Sequence, residues 1–264
     1  MCLILIAQHV RPDYPLILLA NRDEYYVRPT VPLAFWPEAP NVLAGRDLQA
    51  GGTWLGMNRR GRLAAVTNFR ESQTGRDAGR SRGLLVNDFL TGDLDPGAFG
   101  DRVARSSHVY RGFSLILGDL CKPAEIALHY YSNRDRGPLR IATGIHGLSN
   151  HLLDTPWPKV QRGKTALEAL LQESAELAPE SLLALMGDQT PPPDAELPDT
   201  GVGLAAERLL STAFIASTDY GTRSTSLILV RRDGAVTFGE RTYPHTGPGT
   251  GAVETRWEHF ILPS

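Results

Sequence analysis

Chemistry in this chain begins at Cys2, directly behind the initiator methionine at the head of the apolar run MCLILIAQH. A thiol there is either one more small apolar residue or, once Met1 is removed, a nucleophile carrying its own base. A free α-amine has a pKa of about 7.7–8.0, so an appreciable fraction accepts the thiol proton at neutral pH. Four further stretches put polar groups at the ends of predicted strands. LLANRDEYYVRP carries Asn21, Arg22, Asp23 and Glu24, and AAVTNFRE ends with Asn68 and Arg70. GIHGLSNHLLDTPWPK offers His146, Asn150 and His151 beside a helix start, and DYGTRSTSLILV puts Arg223 just before a strand. Taken singly, each is an ordinary turn or solvated charge cluster. Together they form a set suited to acyl transfer from a C–N bond. Arg22 lowers the thiol pKa, Asp23 holds the ammonium, and an asparagine amide donates to the developing oxyanion.

The elements that must position these groups are short strands with helices between them. Cys2 to His9 and Leu16 to Asn21 read as a hairpin buried on both faces, and a second strand pair flanks the turn Asn58-Arg59-Arg60-Gly61. Helices are expected over Gly83 to Leu90, from the cap Asp95-Pro96 to about Arg105, from Trp157-Pro158 to about Ser174, and from Pro179 to Met186. Strands are expected at Phe113 to Leu117, Ile126 to Tyr131, Leu139 to Ala142, Ala213 to Ala216, Thr225 to Arg231 and Ala235 to Glu240. Thr255 to Leu262 is placed to close the sheet, and Asp188 to Gly203 reads as an exposed loop. Strands at both ends with helices in the middle indicate an α+β domain with helices outside packed sheets. With no repeat and no linker, residues 1–264 read as a single domain.

Composition narrows the setting. A formal charge of −2 and a pI near 6.4 leave no footprint for nucleic acid or an anionic membrane, so the expected partner is a small-molecule ligand. Cys2 and Cys121 build no disulfide framework and lack metal-type spacing, which fits a reducing, cytoplasmic setting and no metal site. The run from Leu3 to Ala7 has no basic region before it and breaks at Gln8, so it is neither signal peptide nor membrane span. Cys121 precedes Lys122-Pro123 in a predicted turn, where the lysine lowers its pKa slightly but nothing pairs it with a base.

The ordered set NRDE after a short hairpin, TNFR, GLSN followed by DTPWPK, and TRST before a strand resembles the NRDE family, also called the transport and Golgi organisation protein 2 family. The matches run from Met1 to beyond Arg223, nearly the whole chain. The resemblance implies a four-layer αββα sandwich similar to N-terminal-nucleophile hydrolases of the conjugated-bile-salt hydrolase and penicillin acylase type. It further implies Cys2 as nucleophile, with Arg22 and Asp23 holding thiol and amine. Asn68 and Asn150 would sit around the oxyanion, and Arg223 would bind or polarise near the nucleophile. Hydrolysis on this plan requires no cofactor. The alternative from the same family is a haem- or lipid-binding (acyl-CoA) trafficking protein. Its haem ligand would come from the histidines, His146 and His151 being the better candidates, or from the Cys2 thiolate. No C-x-x-C-H motif for covalent haem attachment occurs.

Overall fold

Two antiparallel sheets form from the apolar runs, and helices cover their outer faces. The computed structural model describes residues 2–72, 79–135, 137–173, 176–244 and 252–263, Cys2 by its backbone alone. The chain opens with the hairpin β1 (Cys2–Arg11) and β2 (Tyr14–Tyr25). Four strands follow: β3 (Thr30–Trp36), β4 (Ala39–Asp47), β5 (Leu55–Asn58) and β6 (Arg62–Asn68). After α1 (Gly83–Thr91) and α2 (Pro96–Ser106) come β7 (Phe113–Asp119), β8 (Ala127–Ser132), β9 (Leu139–Arg140) and β10 (Gly144–Leu148). Three helices, α3 (Pro158–Glu173), α4 (Pro179–Leu185) and α5 (Leu204–Leu209), precede β11 (Tyr220–Val230), β12 (Ala235–Thr242) and β13 (Glu254–Ile261).

Among the described residues, one sheet runs β10-β1-β2-β11-β12-β13 and the other runs from β3 to β9 in chain order. Strand alternation then assigns the core. Ile4, Ile6, Leu16 and Leu18 point between the sheets to meet Leu43, Leu63 and Ile116. Leu3, Leu5, Ile17 and Leu19 point the other way, under Val160 and Leu167 of α3 and Leu182 and Leu183 of α4. On the far sheet, Ala64, Leu115 and Leu117 pack beneath Val86 and Phe89 of α1 and Phe99 and Val103 of α2. Three apolar interfaces between four layers make an αββα sandwich, and both sheets are covered on both faces. Each fully buried leucine or isoleucine contributes about 1.5–3 kcal/mol relative to exposure. Buried polar groups stitch the sheets together. Gln8 accepts from Leu128 N–H at 2.9 Å and donates to the Ile141 carbonyl at 3.1 Å, and Glu240 accepts from Leu33 N–H at 2.7 Å. No helix among the described residues is long and apolar enough to cross a membrane.

Several expectations need correction. The second strand does not stop at Asn21 but runs through Asn21-Arg22-Asp23-Glu24 to Tyr25. Flanking strands pair with it on both sides at this level, Cys2 opposite Arg22 and Thr222 opposite Asp23, so the polar backbone stays in the ladder. Ala213 to Ala216 is not a strand and contributes only an isolated bridge from Ala216 to Gly221. β3, β4, β10 and α5 were not anticipated. β3 carries Pro32, which the edge position tolerates because one side of the strand needs no ladder donor. The expected ends of the third helix at Ser174 and of the sheet-closing strand fall, respectively, outside the described residues and within one residue of β13.

Candidate functional site

β1 begins at Cys2, and the antiparallel register sets it across from Arg22 on β2. Arg22 in turn lies opposite Ser224 on β11. On the other side, β10 pairs Leu148 with Ile4, so Asn150 follows two residues beyond the ladder at the Cys2 end of β1. Arg22 belongs to the face that carries Leu18 and Ala20, so it points between the sheets. There its guanidinium stacks over Trp54 at 4.2 Å from the ring centroid and is 5% exposed. Gly45 of β4 leaves room for that ring, since a Cβ would fall within about 2.6 Å of two Trp54 ring carbons. Arg22 Nη1 is buried without a hydrogen-bond partner among the described residues. A buried cationic donor with an unused N–H is costly unless a ligand or reacting group receives it.

Asp23, one residue on, is fully buried and accepts from Thr222 Oγ1 at 2.7 Å. Burial pushes its carboxyl above the usual carboxylate range, opposed by the Lys159 ammonium, the Thr222 hydroxyl and Arg22. Asn21 is committed to structure. Its Nδ2 donates to the Met186 and Ala213 carbonyls at 2.8 Å each, and its Oδ1 accepts from Thr225 Oγ1 at 2.6 Å. Within the NRDE tetrad, therefore, Asn21 ties the helical layer to the sheet while Arg22, Asp23 and Glu24 line an open cavity.

That cavity measures about 280 Å³ and is also lined by Arg28, Asp47, Thr53, Trp54 and Asn68. Asn68 ends β6 and lines the cavity. Asn150 is buried and donates through Nδ2 to the Asn68 carbonyl at 3.0 Å, while its own carbonyl accepts from Arg70 N–H at 2.6 Å. Asn150 is not among the residues lining the cavity and instead braces the strand end that carries Asn68. Arg223 does not line it either. The register slips between Thr222 and Ser224, making Arg223 the bulged residue, and its Nη1 donates to the Tyr25 and Arg28 carbonyls at 2.9 and 3.0 Å. It pins the turn that leads to Arg28. Arg28 is held by Asp47 at 2.6 Å and by Glu24 at 3.7 Å.

Sequence reasoning assigned no role to Trp54 or Thr222. The stacking of Arg22 on Trp54 joins residues from different sheets, and no local spacing signals it. Met1 lies outside the described residues, and Cys2 enters here by its place in the register.

Of the two histidines singled out, His146 is engaged at both ring nitrogens and His151 at Nδ1. His146 Nδ1 lies 2.6 Å from Asp154 Oδ2 and Nε2 lies 2.9 Å from the Ala142 carbonyl. Both partners are acceptors, so the doubly protonated imidazolium satisfies the site and offers no ring lone pair to iron. Asp154, at φ 58°, also accepts from Lys164 Nζ at 2.7 Å and Gly147 N–H at 3.0 Å. His151 Nδ1 meets Thr155 Oγ1 at 2.9 Å, with its ring between Phe69 and Trp157. No cluster suited to a metal ion occurs among the described residues.

The Asp154 clamp has a pH signature. Its hydrogen bond with Asp154 holds His146 above the usual histidine value, and despite burial the His146, Lys164 and Gly147 donors bring Asp154 down to about 2. The histidine contribution is complete below its unfolded value of about 6.5 and fades as pH rises through the higher folded value. The aspartate contribution is complete above about 3.9 and is lost as pH falls through about 2. The difference in Tm between wild type and His146→Ala should therefore shrink as pH rises from 6 to 9. A difference that stays constant or grows over that interval would sink the assignment.

The doubly covered pair of antiparallel sheets, with Cys2 at the head of a central strand, is an N-terminal-nucleophile hydrolase fold. Solved structures agree. A Caenorhabditis elegans N-acylethanolamine-hydrolyzing acid amidase ortholog superposes with a TM-score of 0.50 at 11% identity, covering 86% of this chain and 92% of that one. A mutant conjugated bile acid hydrolase from Clostridium perfringens gives 0.50 at 8% identity, covering 99% and 92%. The chain belongs to the Transport and Golgi organisation 2 family, whose model matches residues 1–245. The human Transport and Golgi organization protein 2 homolog is 39% identical over the whole of both chains. The bovine homolog is 38% identical over 98% of this chain and 96% of its own.

Proposed function

We propose that this protein is an N-terminal-nucleophile cysteine hydrolase that cleaves a C–N amide bond of a small molecule. The observation that carries the reading is the register pair Cys2 and Arg22, with the buried Nη1 of Arg22, which has no hydrogen-bond partner among the described residues, at the cavity beside the head of β1. The fold shared with an amidase ortholog and a bile acid hydrolase supports the same class, as a likeness of architecture. In this mechanism, removal of Met1 frees the α-amine of Cys2, which takes the thiol proton. The thiolate attacks the amide carbonyl, and Asn68 and Arg22 stabilise the oxyanion and thiolate. Collapse breaks the C–N bond, the ammonium returns its proton to the leaving amine, and a thioester remains. Water, deprotonated by the same α-amine, then releases the acid and restores the thiol. Buried Asp23 and Lys159 set the field in which the amine titrates.

Two measurements test the reading. The intact mass of untagged protein should show loss of Met1, and quantitative retention overturns the self-based nucleophile. Iodoacetamide should label Cys2 at least about tenfold faster than Cys121 at pH 7. Cys121 is an inert internal control, contrary to the expectation from Lys122. Burial and the adjacent Asp119 push its thiol up to about 11, and its Sγ donates to the Arg60 carbonyl at 2.7 Å. Equal rates would mark Cys2 as an ordinary packed cysteine.

A further inference from the structure

An open sheet leaves a row of unpaired backbone groups along each outer strand, and most of the outer strands here are blunted. β3 carries Pro32 and shifts register twice against β4. β9 is two residues long. β10 is covered at Gly147, whose carbonyl accepts from Asp154 N–H at 2.8 Å and whose N–H donates to Asp154 Oδ1 at 3.0 Å. β13 has none of these devices. It is the outer strand of its sheet, free of proline and in unbroken register with β12 from Glu254 to Ile261. Leu262 N–H donates to the Gly234 carbonyl at 2.9 Å in line with that register, and hydrogen-bonded pairs alternate along an antiparallel ladder. Glu254, Arg256, Glu258 and Phe260 therefore bond inward to β12, while Thr255, Trp257, His259 and Ile261 present their N–H and C=O outward. Among the described residues, nothing bonds to those outward backbone groups.

We infer that β13 pairs antiparallel with β13 of a second copy of this chain, about a two-fold axis at Trp257, so that two six-stranded sheets become one. Bonds form only in registers that set outward-facing residues opposite one another, and the side chains choose among these. With Trp257 opposite its own copy, Arg256 falls opposite Glu258 on both sides of the axis. Thr255 then meets His259, Glu254 meets Phe260, and one residue before the strand Val253 meets Ile261. Val253 and Ile261, 55% and 68% exposed, would cover each other. The next register in one direction sets Arg256 opposite Arg256 and Glu254 opposite Glu258, and in the other it sets Glu258 opposite Glu258. Like charges directly opposite are destabilising. The alternating signs of Glu254, Arg256 and Glu258 thus repel the neighbouring registers and favour one. Arg256 Nε is held by Glu254 at 2.9 Å within its own chain, whereas Glu258 has no ion pair among the described residues. In the dimer each Arg256 lies between two carboxylates. The inference goes beyond the hydrolase reading and does not rest on it.

Sedimentation velocity of the full chain, over a concentration series reaching the hundred-micromolar range, tests the pairing. Wild type should approach twice the 28.8 kDa of one chain. Glu258→Arg turns both symmetric attractions into repulsions and should raise the dimer Kd at least tenfold. Adding Arg256→Glu exchanges the two signs and should return Kd to within threefold of wild type, which only the register through Trp257 produces. His259→Pro removes an outward N–H without touching the β12 ladder, so it should abolish the dimer while circular dichroism stays that of wild type. Should His259→Pro lose its fold, the charge variants decide alone. A monomer throughout the series overturns the pairing, as does a dimer indifferent to Glu258→Arg or a Glu258→Arg defect that Arg256→Glu fails to repair.

Discussion

Cys2→Ser should lower amide turnover by at least about 10³-fold while leaving ligand affinity within about threefold. Serine keeps the α-amine and nearly the same volume but replaces the thiol by a hydroxyl that the weakly basic amine barely activates. Blocking the amine with an uncleaved extension before Cys2 should abolish turnover to the same degree, because base and nucleophile belong to one residue. Arg22→Ala should cost roughly 10²–10³-fold, the usual consequence of removing one preorganised donor from developing negative charge. It should also slow alkylation of Cys2. Arg22→Lys distinguishes charge from geometry. It keeps the positive charge but loses the flat contact with Trp54, so it should recover alkylation more fully than turnover. Turnover unchanged in Cys2→Ser, measured on an acyl-amide panel by release of the amine, would end the nucleophile assignment.

How far this site could be read in advance depended on whether a signal was local. The strand cores were plain because strands covered on both faces appear as unbroken apolar runs, as in Leu3 to Ala7 and Leu16 to Ala20. Caps were equally plain. Asp95 accepts from Ala98 N–H at 2.9 Å as the Asp-Pro pair foretold. The polar tetrad was misplaced by one physical rule, that charged residues mark the end of a core strand. Here Arg22 and Asp23 stay in the ladder because Trp54 and Thr222, both distant in sequence, receive them. Arg223 was placed by its order in the chain and its strand-end position, and neither reveals the bulge that seats its guanidinium on the Tyr25 and Arg28 carbonyls.

Loss of either Arg70 or Glu207 should destabilise the protein by about 3–5 kcal/mol, the range for breaking a buried ion pair from one side. The side chains are 0% and 3% exposed, and Arg70 Nη1 meets Glu207 Oε2 at 2.5 Å. Burial pushes the Arg70 guanidinium down and Glu207 opposes it, so each charge is tolerable only while the other is present. The pair also joins separate parts of the chain. Arg70 Nη2 donates to the Leu210 carbonyl at 3.1 Å, its guanidinium lies 4.5 Å from the Trp157 ring centroid, and Glu207 Oε1 accepts from Thr200 Oγ1 at 2.6 Å. Thermal midpoints of Arg70→Ala and Glu207→Ala should fall by roughly 6–20 °C, taking about 2–4 °C per kcal/mol for a chain of this size. The double variant Arg70→Met/Glu207→Leu should recover most of that loss, since an apolar pair removes both desolvation penalties together. Recovery of stability need not restore function. Arg70 N–H holds the Asn150 carbonyl, whose side chain braces Asn68 at the cavity, so changes at Arg70 are transmitted to the proposed oxyanion donor. Midpoints that simply add in the double variant would show that the two charges act independently, and that the site's support lies elsewhere.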